Sequence, residues 1–257
     1  MIMFDDFTAS EIDTGATTIR VQYGGRGPAI LFLHGFAQTH LMWHGVAPRL
    51  AQHFSVVCAD LRGYGHSGCP PSRPAHTPYS KRTTAGEMVI VMERRGFPRF
   101  SVAGHDRGGR VAYRLALDHA DRIERLAALD IVPTESAWAR ADSRFALAFW
   151  PWSLVAQSRP LPERVLAAAA DAVVDQALSE WGSPPAAFLP ETRAAYMQDS
   201  GPVSSWQEWS ENVQGQAIEA GHFFPEEVPE QTAEALGPFF WVLSSQYILD
   251  LDEDLDL

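Results

Sequence analysis

An aspartate occupies a position in this chain where a serine is the common occupant. Gly104-His105-Asp106-Arg107-Gly108 is a Gly-x-nucleophile-x-Gly pattern. Its glycines permit a sharp turn between a strand and a helix and let the next elements pack closely, leaving Asp106 at the tip as a candidate nucleophile. Taken alone, the five residues also fit an acidic N-cap on a glycine-rich turn. Other residues complete a constellation. His34-Gly35-Phe36 follows an earlier apolar run. The backbone N–H groups of Phe36 and Arg107 are the natural pair to hold a developing oxyanion. Asp130 ends the apolar run that follows the turn, where an acid can orient a histidine. Eight of the nine histidines lie at or before His119, which leaves His222, in Gly221-His222-Phe223, for that role. Arg107 and Arg110 stand one and four residues after Asp106. Two guanidinium groups at a helix start suit a carboxylate ligand; the alternative is a pair of surface arginines bound to acids.

The chemistry these residues could perform is specific. A carboxylate that displaces a leaving group from an sp³ carbon becomes an alkyl ester. A serine in its place would become an ether, which water does not readily cleave. The ester can be hydrolysed if His222 takes a proton from water, the water attacks the Asp106 carbonyl carbon, and the oxyanion pair holds the charge. Asp130 would orient His222 and stabilise the imidazolium.

Strands alternating with helices must position this set, and the chain order nucleophile, acid, histidine is that of an α/β-hydrolase, a mostly parallel sheet flanked by helices. Residues 17–23 alternate like a half-exposed strand. The runs 28–33, 54–59, Phe100–His105 and 125–132 read as core strands, and 40–53, 81–95 and 108–119 as helices. Residues 134–202, rich in Ala, Leu, Trp and Pro, carry no strand pattern and read as a helical cap. A Trp-rich helix is expected over 203–213, a short strand over 215–220 and a helix near 229–240. The core would then comprise 1–133 and 203–243, and the acidic tail 244–257 reads as solvated and disordered, with partner docking as the lesser alternative.

With 257 residues, 46% of them hydrophobic and 20% charged, the chain can bury a sizeable core. Its net charge of −12, five of those acids lying in the last eleven residues, argues against nucleic acid. Two cysteines are too few for a disulfide scaffold, and no apolar stretch is long enough to span a bilayer. These features suggest a cytoplasmic protein. His40 and His44 stand four apart but lack a third clustered ligand, so no metal site is expected; Asp60 and Arg62 read as structural.

Five runs resemble the haloacetate (fluoroacetate) dehalogenases of the α/β-hydrolase fold. They are His34-Gly-Phe-Ala-Gln-Thr-His-Leu-Met-Trp43, Asp60-Leu-Arg-Gly-Tyr-Gly-His-Ser67, Tyr79-Ser-Lys-Arg82, Gly104-His-Asp-Arg-Gly-Gly-Arg110 and Leu129-Asp-Ile-Val-Pro-Thr134. Gly221-His-Phe-Phe-Pro-Glu-Glu227 is similar to the histidine segment of that family. The resemblance implies hydrolytic dehalogenation of 2-haloacids without a cofactor or metal. Asp106, Asp130 and His222 would be the triad, and Arg107 and Arg110 the carboxylate site. Partners would be a small haloacid and water, with no nucleic acid or membrane, and it leaves room for a homodimer.

The chain departs from that pattern in three places. Family members that cleave C–F bonds resemble one another in a His-Trp pair and a tyrosine from the cap, all donating to halide. Here the pair is Pro151-Trp152, which leaves Trp152 either as the remaining halide donor or as cap core, and predicts chloride and bromide ahead of fluoride. Tyr196 lies too early to be that tyrosine. Several dozen residues, including one core strand, have no counterpart, so 215–220 is expected to pair directly beside 125–129. An epoxide hydrolase, or an inactive fold serving as a binding protein, are the rival readings.

Overall fold

The computed structural model describes residues 4, 6–36, 38–73, 76–158, 160–176 and 218–241. Six strands form one sheet: β1 (Thr8–Asp13), β2 (Thr18–Gly24), β3 (Ala29–Leu33), β4 (Ser55–Ala59), β5 (Phe100–His105) and β6 (Ile123–Leu129), in the order β1-β2-β4-β3-β5-β6. The ladders β4-β3, β3-β5 and β5-β6 are parallel, while β1 and β2 add an antiparallel edge. The expected α/β architecture is therefore present. β3 and β5 are buried along their whole length; β3 accordingly reads as an unbroken apolar run, and β5 as an apolar run broken only by Ser101 and His105.

Helices cover both faces. On one side α2 (Lys81–Arg94) and α3 (Arg107–Asp118) bury Met88, Met92, Val111 and Leu115 against Leu31, Leu33 and Val102. On the other, α1 (Ala47–Leu50) and the last helix press Leu50, Leu236 and Phe240 around Phe32, Trp43, Phe54 and Cys58. Every strand side chain in the middle of the sheet thus leaves water, and this burial is the main favourable term. After β6 come α4 (Thr134–Ala139), α5 (Ser143–Ala148), α6 (Trp150–Val155) and α7 (Leu161–Gln176), then α8 (Phe224–Glu227) and α9 (Pro229–Trp241). Among the described residues no helix is long and apolar enough to cross a membrane.

Several expectations need correction. The helix expected over 40–53 is instead a 3-10 turn, His40–Trp43, followed by the four-residue α1, because Gly45 and Pro48 interrupt the run. β1 was not expected: Thr8-Ala-Ser-Glu-Ile-Asp13 is polar because it is an edge strand with one buried side chain, Ile12. β6 stops at Leu129, three residues short, since Asp130 turns the chain with a positive φ of 50°. The expected strand over 215–220 does not appear in its described part: Glu219 and Ala220 form a bend, and β6 is the last strand of the sheet among the described residues. The expected helix over 203–213, the tail 244–257 and Tyr196 lie outside the described residues. Cys58 is buried and Cys69 exposed, both as free thiols.

Candidate active site

β5 and α3 meet at Asp106, whose φ of 46° and ψ of −113° lie in a region an L-residue rarely adopts. Two glycines make this turn feasible. A Cβ at Gly104 would stand 2.3 Å from the Gly108 oxygen, and one at Gly108 would stand 2.3 Å from the Leu33 oxygen. Strand, turn and helix therefore touch backbone to backbone, and only glycine fits. The Phe36 N–H donates to Asp106 Oδ1 at 2.7 Å. Arg107 opens α3, where first-turn amides have no acceptor within the helix. Of the two expected oxyanion donors, the Phe36 N–H is thus on the Asp106 carboxylate, and the Arg107 N–H lies in the first turn of α3 directly after it. Burial alone would raise the Asp106 pKa; the facing His222 and His105 rings, the Phe36 N–H and Arg107 outweigh it and hold the carboxyl down at about 2.

Asp130 also has a positive φ, just past the end of the neighbouring strand. His222 Nδ1 pairs with Asp130 Oδ2. Burial disfavours the imidazolium, but the hydrogen bond and charge of Asp130, with Asp106 and Glu227 beyond, outweigh it and raise the His222 pKa above its ordinary value. The ligand atoms of His105, Asp130 and His222 lie within 4.8 Å of one another. That spacing suits a metal too, but His222 Nδ1 is committed to Asp130, and His105 Nε2 lies 2.7 Å from the main-chain oxygen of His222. The set is ordered as a hydrogen-bonded chain rather than aimed at one point.

Arg110 is 9% exposed and donates to Thr134 Oγ1 at 2.9 Å and the Val132 oxygen at 3.3 Å. Its guanidinium lies 4.1 Å from the centre of the Trp152 ring. Arg107 acts electrostatically on the nearby Tyr64 hydroxyl, and its guanidinium lies 5.0 Å from the centre of the Phe36 ring. Among the described residues neither arginine forms a salt bridge, so the alternative of surface arginines bound to acids is corrected. Trp152 packs against Trp138, Phe145 and Phe149, as its cap-core reading expects, and also lies over the Arg110 guanidinium. Pro151 is buried in the first turn of α6.

The loop from Asp60 to Ser67 is a brace, as expected. Asp60 accepts from the His40 N–H at 2.8 Å and the His66 N–H at 3.1 Å. Arg62 forms a buried pair with Glu87. His40 Nδ1 bonds Asp60 and His44 Nδ1 bonds the Leu41 oxygen, so the two histidines turn to different partners.

With this geometry the family can be settled. A model of the alpha/beta hydrolase fold matches residues 28–183. The chain belongs to that family. It is 45% identical over 195 residues to a fluoroacetate dehalogenase from Burkholderia sp, an alignment that covers 76% of this chain and 64% of that enzyme. It is also 39% identical over 109 residues to a soluble epoxide hydrolase from Corynebacterium sp. (strain C12), covering 42% of this chain and 36% of the relative. The chain thus spans less than two thirds of either relative. Among solved structures, a Nostoc sp PCC 7120 protein assigned to the alpha/beta hydrolases superposes with a TM-score of 0.84 at 36% identity, covering 93% of this chain and 99% of that one.

Sequence reasoning passed over three groups gathered at the site. Tyr64 lies near Arg107. Lys81, at the start of α2, faces Arg107, Arg110 and Asp106, and burial together with the two arginines brings its ammonium down to about 8. His105 faces His222. All three lie inside the runs already quoted, beside the residues that drew attention; their being titratable was the usable signal.

Proposed function

We propose that the chain hydrolyses 2-haloacids, converting a haloacetate and water to glycolate and halide through an ester on Asp106. The observation that carries this reading is a low-pKa carboxylate at a nucleophile position, flanked by two guanidinium groups whose partners are neutral oxygens and rings. An ionised nucleophile suits displacement at carbon, and two guanidinium groups facing that single carboxylate leave charge to meet a carboxylate substrate. The similarity to the Burkholderia fluoroacetate dehalogenase supports the same reading.

In the first half-reaction an Asp106 oxygen bonds to the α-carbon, the carbon–halogen bond breaks, and halide leaves with the bonding pair. Arg107 and Arg110 hold the substrate carboxylate. In the second, His222 removes a proton from water, the oxygen attacks the Asp106 carbonyl carbon, and the Phe36 and Arg107 amides take the oxyanion's charge. Collapse releases glycolate and regenerates the carboxylate; the proton leaves through His222. In this reading α4–α7 begin a cap over the sheet's carboxyl edge, and the Trp152 indole N–H receives the departing halide. Pro151 has no N–H to add, so chloride and bromide, better leaving groups, should be released far faster than fluoride.

The epoxide hydrolase relative shares part of this chain's length. An epoxide has no carboxylate to meet Arg107 and Arg110, which is why the haloacid reading is preferred. The deciding experiment is intact-protein mass spectrometry of His222→Ala incubated with bromoacetate. A carboxymethyl group trapped on Asp106 is expected; a folded variant left unmodified overturns the proposal.

A further inference from the structure

His105 is the last residue of β5, fully buried, and directly precedes Asp106. Its Nε2 lies 2.7 Å from the main-chain oxygen of His222. A carbonyl only accepts, so Nε2 carries the hydrogen and Nδ1 is bare. Nδ1 has no hydrogen-bond partner among the described residues. It faces Gly35, where a Cβ would stand 3.0 Å from Nδ1 and 2.7 Å from the Asp106 Cβ. The ring therefore sits in a slot that Gly35 leaves open, committed through one nitrogen to the loop that carries His222. The two imidazole centres are 4.5 Å apart.

What precedes His222 explains why such a bond matters. Glu219 and Ala220 form a bend rather than a strand, and among the described residues no β-ladder aligns them with β6. Asp130 grips the ring of His222, but a ring can keep that bond while its backbone slides. We propose that His105 is a positioning residue: it ties the main chain of His222 to the buried strand β5, so that the imidazole held by Asp130 faces the ester on Asp106. Burial, with His222 beside it, lowers the His105 pKa to about 4 against the pull of Asp106 and Asp130, so its ring stays neutral and His222 alone takes up a proton near neutrality.

This inference rests on the two-step reading above, and it makes a selective claim. The first half-reaction needs Asp106 and the arginines; the second needs His222 placed to within about an ångström, and such a misplacement can cost on the order of 100-fold. His105→Leu should leave the halide burst on mixing with bromoacetate near the wild-type rate. Steady-state turnover should fall by roughly 10- to 100-fold, and the carboxymethyl-enzyme should accumulate in the intact-mass spectrum. His105→Gln, which presents an amide N–H near the position of Nε2, should restore turnover. Should the Leu variant fail to fold, His105→Asn serves, since its shorter amide cannot reach the His222 oxygen. Equal turnover in the Gln and Asn variants, or a burst and a steady state that fall together, overturns the proposal. The His222→Ala control separates the two failures: without a trapped adduct there, the dehalogenation reading itself is wrong.

Discussion

Asp106 and His222 belong to one cluster, yet the main chain around each is held by different means. Asp106 stands where two buried parallel strands and a helix meet, and its neighbours touch backbone to backbone. His222 stands in a loop fastened by side chains. Asp130 holds its ring, His105 its oxygen, Glu227 accepts from the Gly221 N–H at 2.9 Å, and Gln38 reaches Glu226 from across the site. The nucleophile is thus placed by the fold itself, whereas the base is placed by a handful of polar contacts that each cost about 1 kcal/mol to lose. The first arrangement is rigid and intolerant; the second can be retuned one residue at a time.

The sharpest break comes from the nucleophile. Asp106→Asn should lower turnover of chloroacetate by about 10⁴-fold or more while leaving the melting temperature nearly unchanged, since the amide oxygen can still accept from Phe36. Halide release measured under saturating substrate checks it. Residual activity within tenfold of wild type would show that the carboxylate is not the attacking group.

A matched pair of alanines compares the two regions directly. Gly108→Ala would place a Cβ 2.3 Å from the Leu33 oxygen, a backbone atom that cannot move aside. Gly221→Ala would place one 2.7 Å from Glu227 Oε1, the free end of a flexible side chain. The first should cost on the order of 3 kcal/mol, the second less than about 1 kcal/mol. At about 2–4 °C per kcal/mol for a chain of this size, that separates the melting temperatures by roughly 5 °C or more. Equal losses would mean that the histidine loop is as tightly built as the turn at Asp106.

The same contrast explains how much could be read from residues alone. β5 and its turn announce themselves, because glycine spacing and a largely apolar strand are what such a junction requires. Asp130 and His222 followed from chain order. β1 stayed hidden because an edge strand needs only Ile12 inside. The setting of the His222 loop was not legible, because it depends on which side chains meet across 92 and 117 residues of sequence, and no local period records that. Arg110 shows the middle case: its spacing marked it as a ligand, but not its stacking on Trp152.

Arg110 gives the next effect in size. Its hydrogen-bond partners are neutral and Asp106 is the nearby negative charge, so a bound carboxylate would add a second anion against its buried charge. Arg110→Gln should raise KM for haloacetates by a factor corresponding to about 2–5 kcal/mol, with the halide burst at saturation less affected. Neutral haloalkanes turned over as well as haloacids by the wild type would remove the reason for that arginine.

The smallest expected effect is a shift in a pH profile, and it tests whether base and nucleophile sense each other. His222 must be neutral to accept a proton, so hydrolysis should rise with pH through the His222 pKa. In the free protein that value is raised above the ordinary 6.5: burial lowers it, but Asp130 and the Asp106 charge push harder. Esterification removes the Asp106 charge and with it one of the raising influences. The acidic limb of the hydrolysis step should therefore lie below the His222 titration of the resting protein. Single-turnover decay of the carboxymethyl-enzyme against pH gives the first value, and NMR titration of His222 the second. The linkage to stability runs in the matching direction. A histidine whose folded pKa is raised adds stability that is full below 6.5 and fades as pH climbs through the folded value. Coincident limbs would mean that the Asp106 charge does not reach His222, and the loop would then stand farther from the nucleophile than its hold on His105 allows.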